Sequence, residues 1–119
     1  MLGGAAGHAG MFASARDLAV FASMMACGGL AGDGRRFLGA ETIVKYTAAV
    51  APAEHSRALG WDTKSGPAGY SSAGEGGTAG GPTFGKRSFG HTGFTGTTIW
   101  IGESVPAQSN AWRAACAPR

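Results

Sequence analysis

The sequence predicts an α+β fold in which two helices pack on an antiparallel sheet, and two patterns support this prediction. Apolar residues recur at helical spacing at Leu18, Phe21, Ala22 and Met25. Residues 97–101 form a β-branched and aromatic run. Apolar residues three and four apart fall on one stripe of a helix, whereas β-branched and aromatic residues favour strands. The chain therefore contains segments of both kinds.

The first helix is predicted over Ala15 to Cys27. Ser14 precedes it and Asp17 follows three residues later, a spacing at which the serine oxygen accepts from a first-turn N–H while the acid favours the helix N-terminus. Gly28-Gly29 supplies the stop, because glycine readily takes the left-handed conformation that ends many helices.

A second, shorter helix is predicted over Ala40 to Thr47, with Ile43, Val44 and Tyr46 partly buried. Gly39 precedes it and offers no side-chain oxygen. We therefore expect a weakly capped start, since side-chain oxygens satisfy the first backbone N–H groups of a helix.

Three strands complete the predicted fold. The first is predicted over residues 57–62, where Leu59 and Trp61 are two positions apart and therefore share one face of the strand. Residues 88–92 and 97–101 flank a glycine- and threonine-rich turn. We expect these strands to form one antiparallel sheet on which the helices lie.

Composition limits how stable this fold is. A chain of 119 residues forms one domain at most. Hydrophobic residues make up 44% of it, but 23 of them are alanine and only 18 are Leu, Ile, Val or Phe. Glycine contributes 22 residues, each of which raises the conformational entropy lost on folding. The core is therefore expected to be small.

Charge and hydropathy exclude two classes of partner. The net charge of +3 comes from basic residues spread along the chain, whereas nucleic-acid binders usually concentrate them on one face. The apolar run within 18–27 is interrupted by Ser23 and is far shorter than the ~20 residues that span a bilayer. We expect no nucleic-acid partner and no membrane span.

Cys27 and Cys116 fit no metal-binding or redox spacing, so we expect no metal site and no cofactor. Two cysteines permit one disulfide, but the expectation is a buried thiol and a thiol in the tail. The N-terminus lacks the basic start and apolar run of a signal peptide.

One stretch carries chemistry: Phe89-Gly90-His91-Thr92-Gly93-Phe94-Thr95-Gly96-Thr97. His91 and Thr92 place a titratable imidazole beside a hydroxyl. Gly93 has no side chain, so a ligand can approach the backbone there. The stretch is typical of a strand with a polar site at its end.

These residues resemble the third motif, Lys or His followed by Thr or Ser and then Gly, of the penicillin-recognising serine hydrolases. This group includes class C β-lactamases, D-alanyl-D-alanine peptidases and related esterases. Gly7-His8-Ala9-Gly10 and the helix after it, and the Leu59-Gly60-Trp61 segment, are also similar to the family. The resemblance implies a partial β-lactamase-like fold and a small-molecule acyl substrate, a β-lactam, peptide or ester.

The resemblance also implies residue roles. His91 takes the cationic or hydrogen-bonding place, Thr92 binds a substrate carboxylate or carbonyl, and Gly93 makes room. The backbone N–H of Phe94 matches the second oxyanion donor of the family. Removing one such donor costs on the order of 3 kcal/mol of barrier in serine hydrolases.

The family's attacking groups are missing from the sequence. Neither Ser-x-x-Lys nor Tyr-x-Asn occurs, so no catalytic residue is assigned. We expect residues 1–101 to be the C-terminal portion of a β-lactamase-related domain that is inactive alone. Residues 102–119 depart from the family pattern and are expected to be an irregular tail.

Two alternatives remain open. The chain is a non-catalytic binding fragment, or it is a small hydrolase that uses Ser71, Ser72 or Ser88 with His91 and an orienting Asp62 or Asp17. The second alternative requires the serine, imidazole and carboxylate to lie within hydrogen-bond reach.

The sequence does not distinguish a lactamase from a peptidase or an esterase, because these share motifs and differ in pocket shape. It does not fix the compartment either, although a periplasmic or secreted location is typical of the family.

Overall fold

The computed structural model describes residues 11–63, 85, 87–93 and 95–102 of the chain. Two helices precede three strands in these residues: α1 (Ala15–Ala26), α2 (Ala40–Thr47), β1 (Asp62–Thr63), β2 (Phe89–Thr92) and β3 (Thr98–Ile101). The predicted α+β class is confirmed. The expected irregular tail lies outside the described residues, except for Gly102.

Helix α1 begins and ends through local signals that the sequence contains. The Ser14 hydroxyl oxygen accepts from the backbone N–H of Asp17 at 3.2 Å. At the other end the N–H of Gly28 donates to the Met25 carbonyl at 3.2 Å, and the N–H of Gly29 donates to the Met24 carbonyl at 2.9 Å. Both glycines have positive φ, so the helix ends in a Schellman motif.

Helix α2 covers the predicted residues and, as expected, begins at Gly39 without a side-chain cap. Only Ile43 of its large apolar residues is buried. Val44 and Tyr46 are exposed, so the prediction that they are partly buried is wrong. A helix of 8 residues that contacts the core along one narrow stripe buries little more than one position per two turns.

The sheet has the order β1-β2-β3, and both neighbouring pairs are antiparallel. Strand β2 is therefore central. Phe89 lies opposite Ile101, and Gly90 lies opposite Trp100. Since side chains alternate between faces, Phe89 and Ile101 share the face that α1 covers, and Trp100 lies on the other.

The predicted strand near 57–62 is corrected. Only Asp62–Thr63 is paired with β2, and the residues before it fold back as a tight turn. The N–H of Ala58 donates to the Trp61 carbonyl at 2.8 Å, and Gly60 has a φ of +86°. A left-handed residue cannot continue an extended strand, which is why β1 starts after the turn.

The core is small, as the composition predicts. Its buried apolar residues are Met25, Ile43, Phe89 and Ile101. Trp61 extends it, because its ring lies edge-on to Phe89 with centroids 5.2 Å apart and stacks on Phe21 at 6.5 Å. Aromatic pairs at these separations stabilise packing beyond their buried area.

Cys27 follows α1 and is half-buried. It is disulfide-bonded, so the expectation of a free thiol at this position is wrong. The other cysteine of the sequence, Cys116, lies outside the described residues. No helix in the described part of the chain is long and apolar enough to cross a membrane.

Truncating Ile101 tests the core. This side chain is 1% exposed, so we expect Ile101→Ala to lower the free energy of unfolding by about 2 to 5 kcal/mol through lost burial and a cavity. Urea denaturation followed by circular dichroism measures the change. Val20→Ala is the matched control, because Val20 is 63% exposed; equal losses from the two variants would contradict the assigned core.

Substituting Gly90 tests the packing of β2 against β3. A Cβ at this position would collide with the carbonyl oxygen of Ile99 and lie 2.6 Å from a ring carbon of Trp100, so Gly90→Ala is expected to cost about 1 to 3 kcal/mol of unfolding free energy. Gly32 has open space around its Cβ position, and Gly32→Ala is therefore the control. A Gly90→Ala variant as stable as Gly32→Ala would contradict the close packing of β3 against Gly90.

Candidate functional site

The turn between β2 and β3 fixes how the two strands align. The N–H of Gly93 donates to the Thr97 carbonyl at 2.6 Å, and the N–H of Gly96 donates to the Gly93 carbonyl at 3.0 Å. Gly96 has a φ of +89°. These bonds are typical of a three-residue hairpin loop closed by a glycine bulge. The loop places His91, Thr92 and Gly93 at the end of the central strand.

The hairpin also determines which way the backbone of β2 faces. Because Gly93 pairs with Thr97 through a hydrogen bond, the next pair, Thr92 and Thr98, is a non-hydrogen-bonded pair. The N–H and C=O of Thr92 therefore point away from β3. They face the edge on which β1 lies.

Strand β1 covers only half of that edge. It pairs with β2 at Phe89 and Gly90, and within the described residues no strand pairs with β2 on this side at His91 or Thr92. An open edge of this kind accepts an extended peptide through main-chain hydrogen bonds.

His91 lies at this edge and is exposed. Its Nδ1 is 2.7 Å from the carbonyl oxygen of Thr92. A carbonyl oxygen only accepts, so Nδ1 carries the proton and donates. Nε2 is then an acceptor when the imidazole is neutral and a donor when it is protonated, and either form can bind a polar substrate group.

Gly93 is required by its surroundings. A Cβ at this position would collide with the hydroxyl oxygen of Thr97. The absence of a side chain leaves the backbone accessible beside His91 and Thr92. Phe94, the fourth predicted site residue, lies outside the described residues.

A buried polar group holds β1 in place. Asp62 is 1% exposed; its Oδ1 accepts from the Ser56 hydroxyl at 3.0 Å and lies 3.5 Å from Nε of Arg57. The Thr63 hydroxyl donates to the Ser56 carbonyl at 2.8 Å. Sequence reasoning missed this group, because nothing in a short run of polar residues signals that they become buried.

Among the described residues, those of the small-hydrolase alternative are not brought together. Asp62 lies opposite Gly90, so its side chain is on the face away from that of His91. Ser88 is 1% exposed and precedes His91 by three positions, about 10 Å along an extended chain and on the other face. Asp17 lies in the first turn of α1, where its carboxylate accepts a hydrogen bond from the hydroxyl of the preceding Ser14.

Ser71 and Ser72 lie outside the described residues. The described part of the chain contains no group of three or more His, Cys, Asp or Glu side chains that could hold a metal ion. The described part of the site presents the imidazole of His91, the hydroxyl of Thr92 and the backbone of β2.

The sequence matches a known family and several curated proteins. The sequence model of the family described as Beta-lactamase matches residues 1–105. The chain is 35% identical over 104 residues to a putative D-alanyl-D-alanine carboxypeptidase of Escherichia coli (strain K12), and 33% identical over 104 residues to the protein of that name from Salmonella paratyphi B.

Each match covers 84% of the chain and 21% of the relative, so the chain spans about a fifth of the length of the curated relatives that it matches. No solved structure matches the chain.

A double-mutant cycle tests the contact between Gly93 and Thr97. Gly93→Ala should lower the free energy of unfolding by about 1 to 3 kcal/mol, because the new methyl group meets the Thr97 hydroxyl. Thr97→Ala removes that hydroxyl, so the double variant should recover part of the loss. Urea denaturation of the four proteins gives the coupling energy; strictly additive losses would contradict the contact.

Proposed function

The chain belongs to the Beta-lactamase family, and from this premise we propose that it supplies the substrate-binding strand of a serine acyl hydrolase. The observation that carries the proposal is that, among the described residues, no strand pairs with β2 at His91 and Thr92 on the side of β1. A hydrogen-bonding imidazole, a hydroxyl and an unobstructed glycine backbone lie together at that edge. These are the groups that an extended acyl substrate needs for binding.

The proposed roles rest on the resemblance to the family's third motif, and the described geometry supports those of His91, Thr92 and Gly93. Nε2 of His91 binds a polar substrate group, since Nδ1 already donates to the Thr92 carbonyl. The hydroxyl of Thr92 donates to a substrate carboxylate or carbonyl. Gly93 lets the substrate approach, and the backbone N–H of Phe94 donates to the oxyanion that forms when the substrate carbonyl is attacked.

The attack itself requires a nucleophile that this sequence does not contain in the family's form, because no Ser-x-x-Lys occurs among its residues. In the proposed reaction a serine hydroxyl from another part of the domain adds to the carbonyl, the leaving group departs with a proton, and water then hydrolyses the acyl-enzyme. The chain binds and polarises the substrate in this scheme.

Two observations support a role within a larger domain. The matched relatives are about five times as long as the part that corresponds to this chain. Large apolar side chains are also exposed on it, including Phe12 at 99% and Val20 at 63%. Such side chains are normally covered by other parts of a domain.

The relatives' names suggest the substrate class. They are called putative D-alanyl-D-alanine carboxypeptidases, and we propose a peptide ending in D-alanyl-D-alanine as the substrate. The extended shape and terminal carboxylate of such a peptide suit an open strand edge that carries hydroxyl donors.

The absence of a nucleophile is tested by covalent labelling. We expect the folded chain, incubated with a fluorescent penicillin or a fluorophosphonate, to keep its unmodified intact mass, because the site residues bind but do not attack. A serine hydrolase of established reactivity is the positive control. A stable adduct mapped to Ser71, Ser72 or Ser88 would overturn the proposal in favour of a small hydrolase.

A further inference from the structure

Asp33 and Gly34 form the tip of a tight turn that follows α1. The N–H of Gly34 donates to the Ala31 carbonyl at 3.0 Å, and the N–H of Ala31 donates to the Arg35 carbonyl at 2.8 Å. Gly34 has a φ of +84°, in the left-handed region that favours glycine. The Asp33 side chain is 54% exposed, so water reaches the peptide unit between the two residues.

An aspartate followed by glycine is open to attack by its own backbone, because glycine places no side chain beside the amide nitrogen. The sequence has three aspartates, and Asp33 is the one that glycine follows. Asp17 precedes Leu18, and Asp62 precedes Thr63 and is buried. Asp33 therefore has the least hindered neighbouring nitrogen.

The reaction begins when the backbone nitrogen of Gly34 attacks the side-chain carboxyl carbon of Asp33. A C–N bond forms, and the carboxyl OH leaves as water with the amide proton, which gives a five-membered succinimide. Water then adds to one of the two ring carbonyls and breaks its C–N bond. Opening at the former backbone carbonyl leaves an isoaspartate, in which the chain runs through the side chain and the mass is unchanged.

Arg35 opposes the first step. Its backbone N–H donates to Oδ1 of Asp33 at 3.0 Å, and its Nε donates to Oδ2 at 2.9 Å. The backbone N–H and then the guanidinium hold the pKa of the Asp33 carboxyl below its usual value. An ionised carboxylate has no OH to lose as water, and here both of its oxygens are held. The Arg35 guanidinium also lies 5.3 Å from the centroid of the Phe37 ring, which favours its place beside the turn.

We propose that Asp33-Gly34 is a site of spontaneous aspartate isomerisation whose rate is restrained by the side chain of Arg35. The modification lengthens the main chain by one methylene group within the turn. It therefore displaces Arg36, whose Nη1 donates to the Gly28 carbonyl at 2.8 Å and ties the turn to the end of α1. Neither step involves the residues of β2.

The test ages the folded full chain at neutral pH and physiological temperature. Samples are digested with endoproteinase Asp-N, which cleaves before aspartate but not before isoaspartate, and mass spectrometry measures the uncleaved fraction at residue 33. We expect Arg35→Ala to accumulate isoaspartate about threefold faster than the wild-type chain, a factor typical of losing an exposed ion pair. Arg35 is 73% exposed, so its truncation leaves the fold intact.

Arg16→Ala is the matched control, because Arg16 is an exposed arginine of α1 and its loss changes the net charge equally. It should age at the wild-type rate. In guanidinium chloride the wild-type and Arg35→Ala chains should age equally, since unfolding breaks the bonds to Asp33.

Equal rates for the folded wild-type and Arg35→Ala chains would overturn the role of Arg35. A threefold difference that persists in guanidinium chloride would also overturn it, because the effect would then come from the sequence and not from the folded turn. Loss of cleavage that is no greater at Asp33 than at Asp17 or Asp62 would overturn the site itself.

Discussion

The alignment of β2 with β3, set by the hairpin at residues 93–97, is the constraint on which the rest of the structure depends. It places Phe89 opposite Ile101 in the core. It also fixes the two hydrogen-bonding edges of β2, since the pairs of an antiparallel ladder alternate in hydrogen bonding. A shift of one residue would exchange the faces and turn Gly90 and Thr92 toward the core in place of Phe89. The site and the core are thus determined by one turn.

In the described residues the other edge of β2 is paired only at Phe89 and Gly90, and this pairing depends on how β1 is held. The turn at Gly60 and the buried carboxylate of Asp62 fix β1 over Phe89 and Gly90. A longer β1 would occupy the edge at His91 and Thr92 and exclude a substrate. Buried polar groups of this kind must be hydrogen-bonded to be tolerated, and the bond from Ser56 meets that need. The brevity of β1 is therefore a functional property in the proposed role.

Local signals account for what the sequence could predict. Ser14, Asp17 and the two glycines after α1 act on adjacent backbone groups, so both ends of that helix were predicted to within one residue. The β-branched run before Ile101 likewise predicted β3. Tertiary contacts decide the rest: the burial of Asp62 depends on residues packed around it. The exposure of Val44 depends on how little of α2 meets the core.

The candidate site divides in the same way. The order of His91, Thr92 and Gly93 is visible in the sequence, and so is the resemblance to the family. The proton on Nδ1 follows only from the position of the Thr92 carbonyl, and the pairing of Thr92 with Thr98 only from the hairpin register. The sequence pattern identifies the residues of the site, whereas the orientation of their hydrogen-bonding groups depends on the backbone geometry.

The central claim is that the open edge of β2 binds an acyl peptide. The most direct measurement records intermolecular nuclear Overhauser effects between the methyl protons of N-acetyl-D-alanyl-D-alanine and the backbone amides of the labelled chain. The account predicts contacts to the amides of His91, Thr92 and Gly93. Contacts confined to α1 or α2, or no contacts at a millimolar peptide concentration, would contradict it.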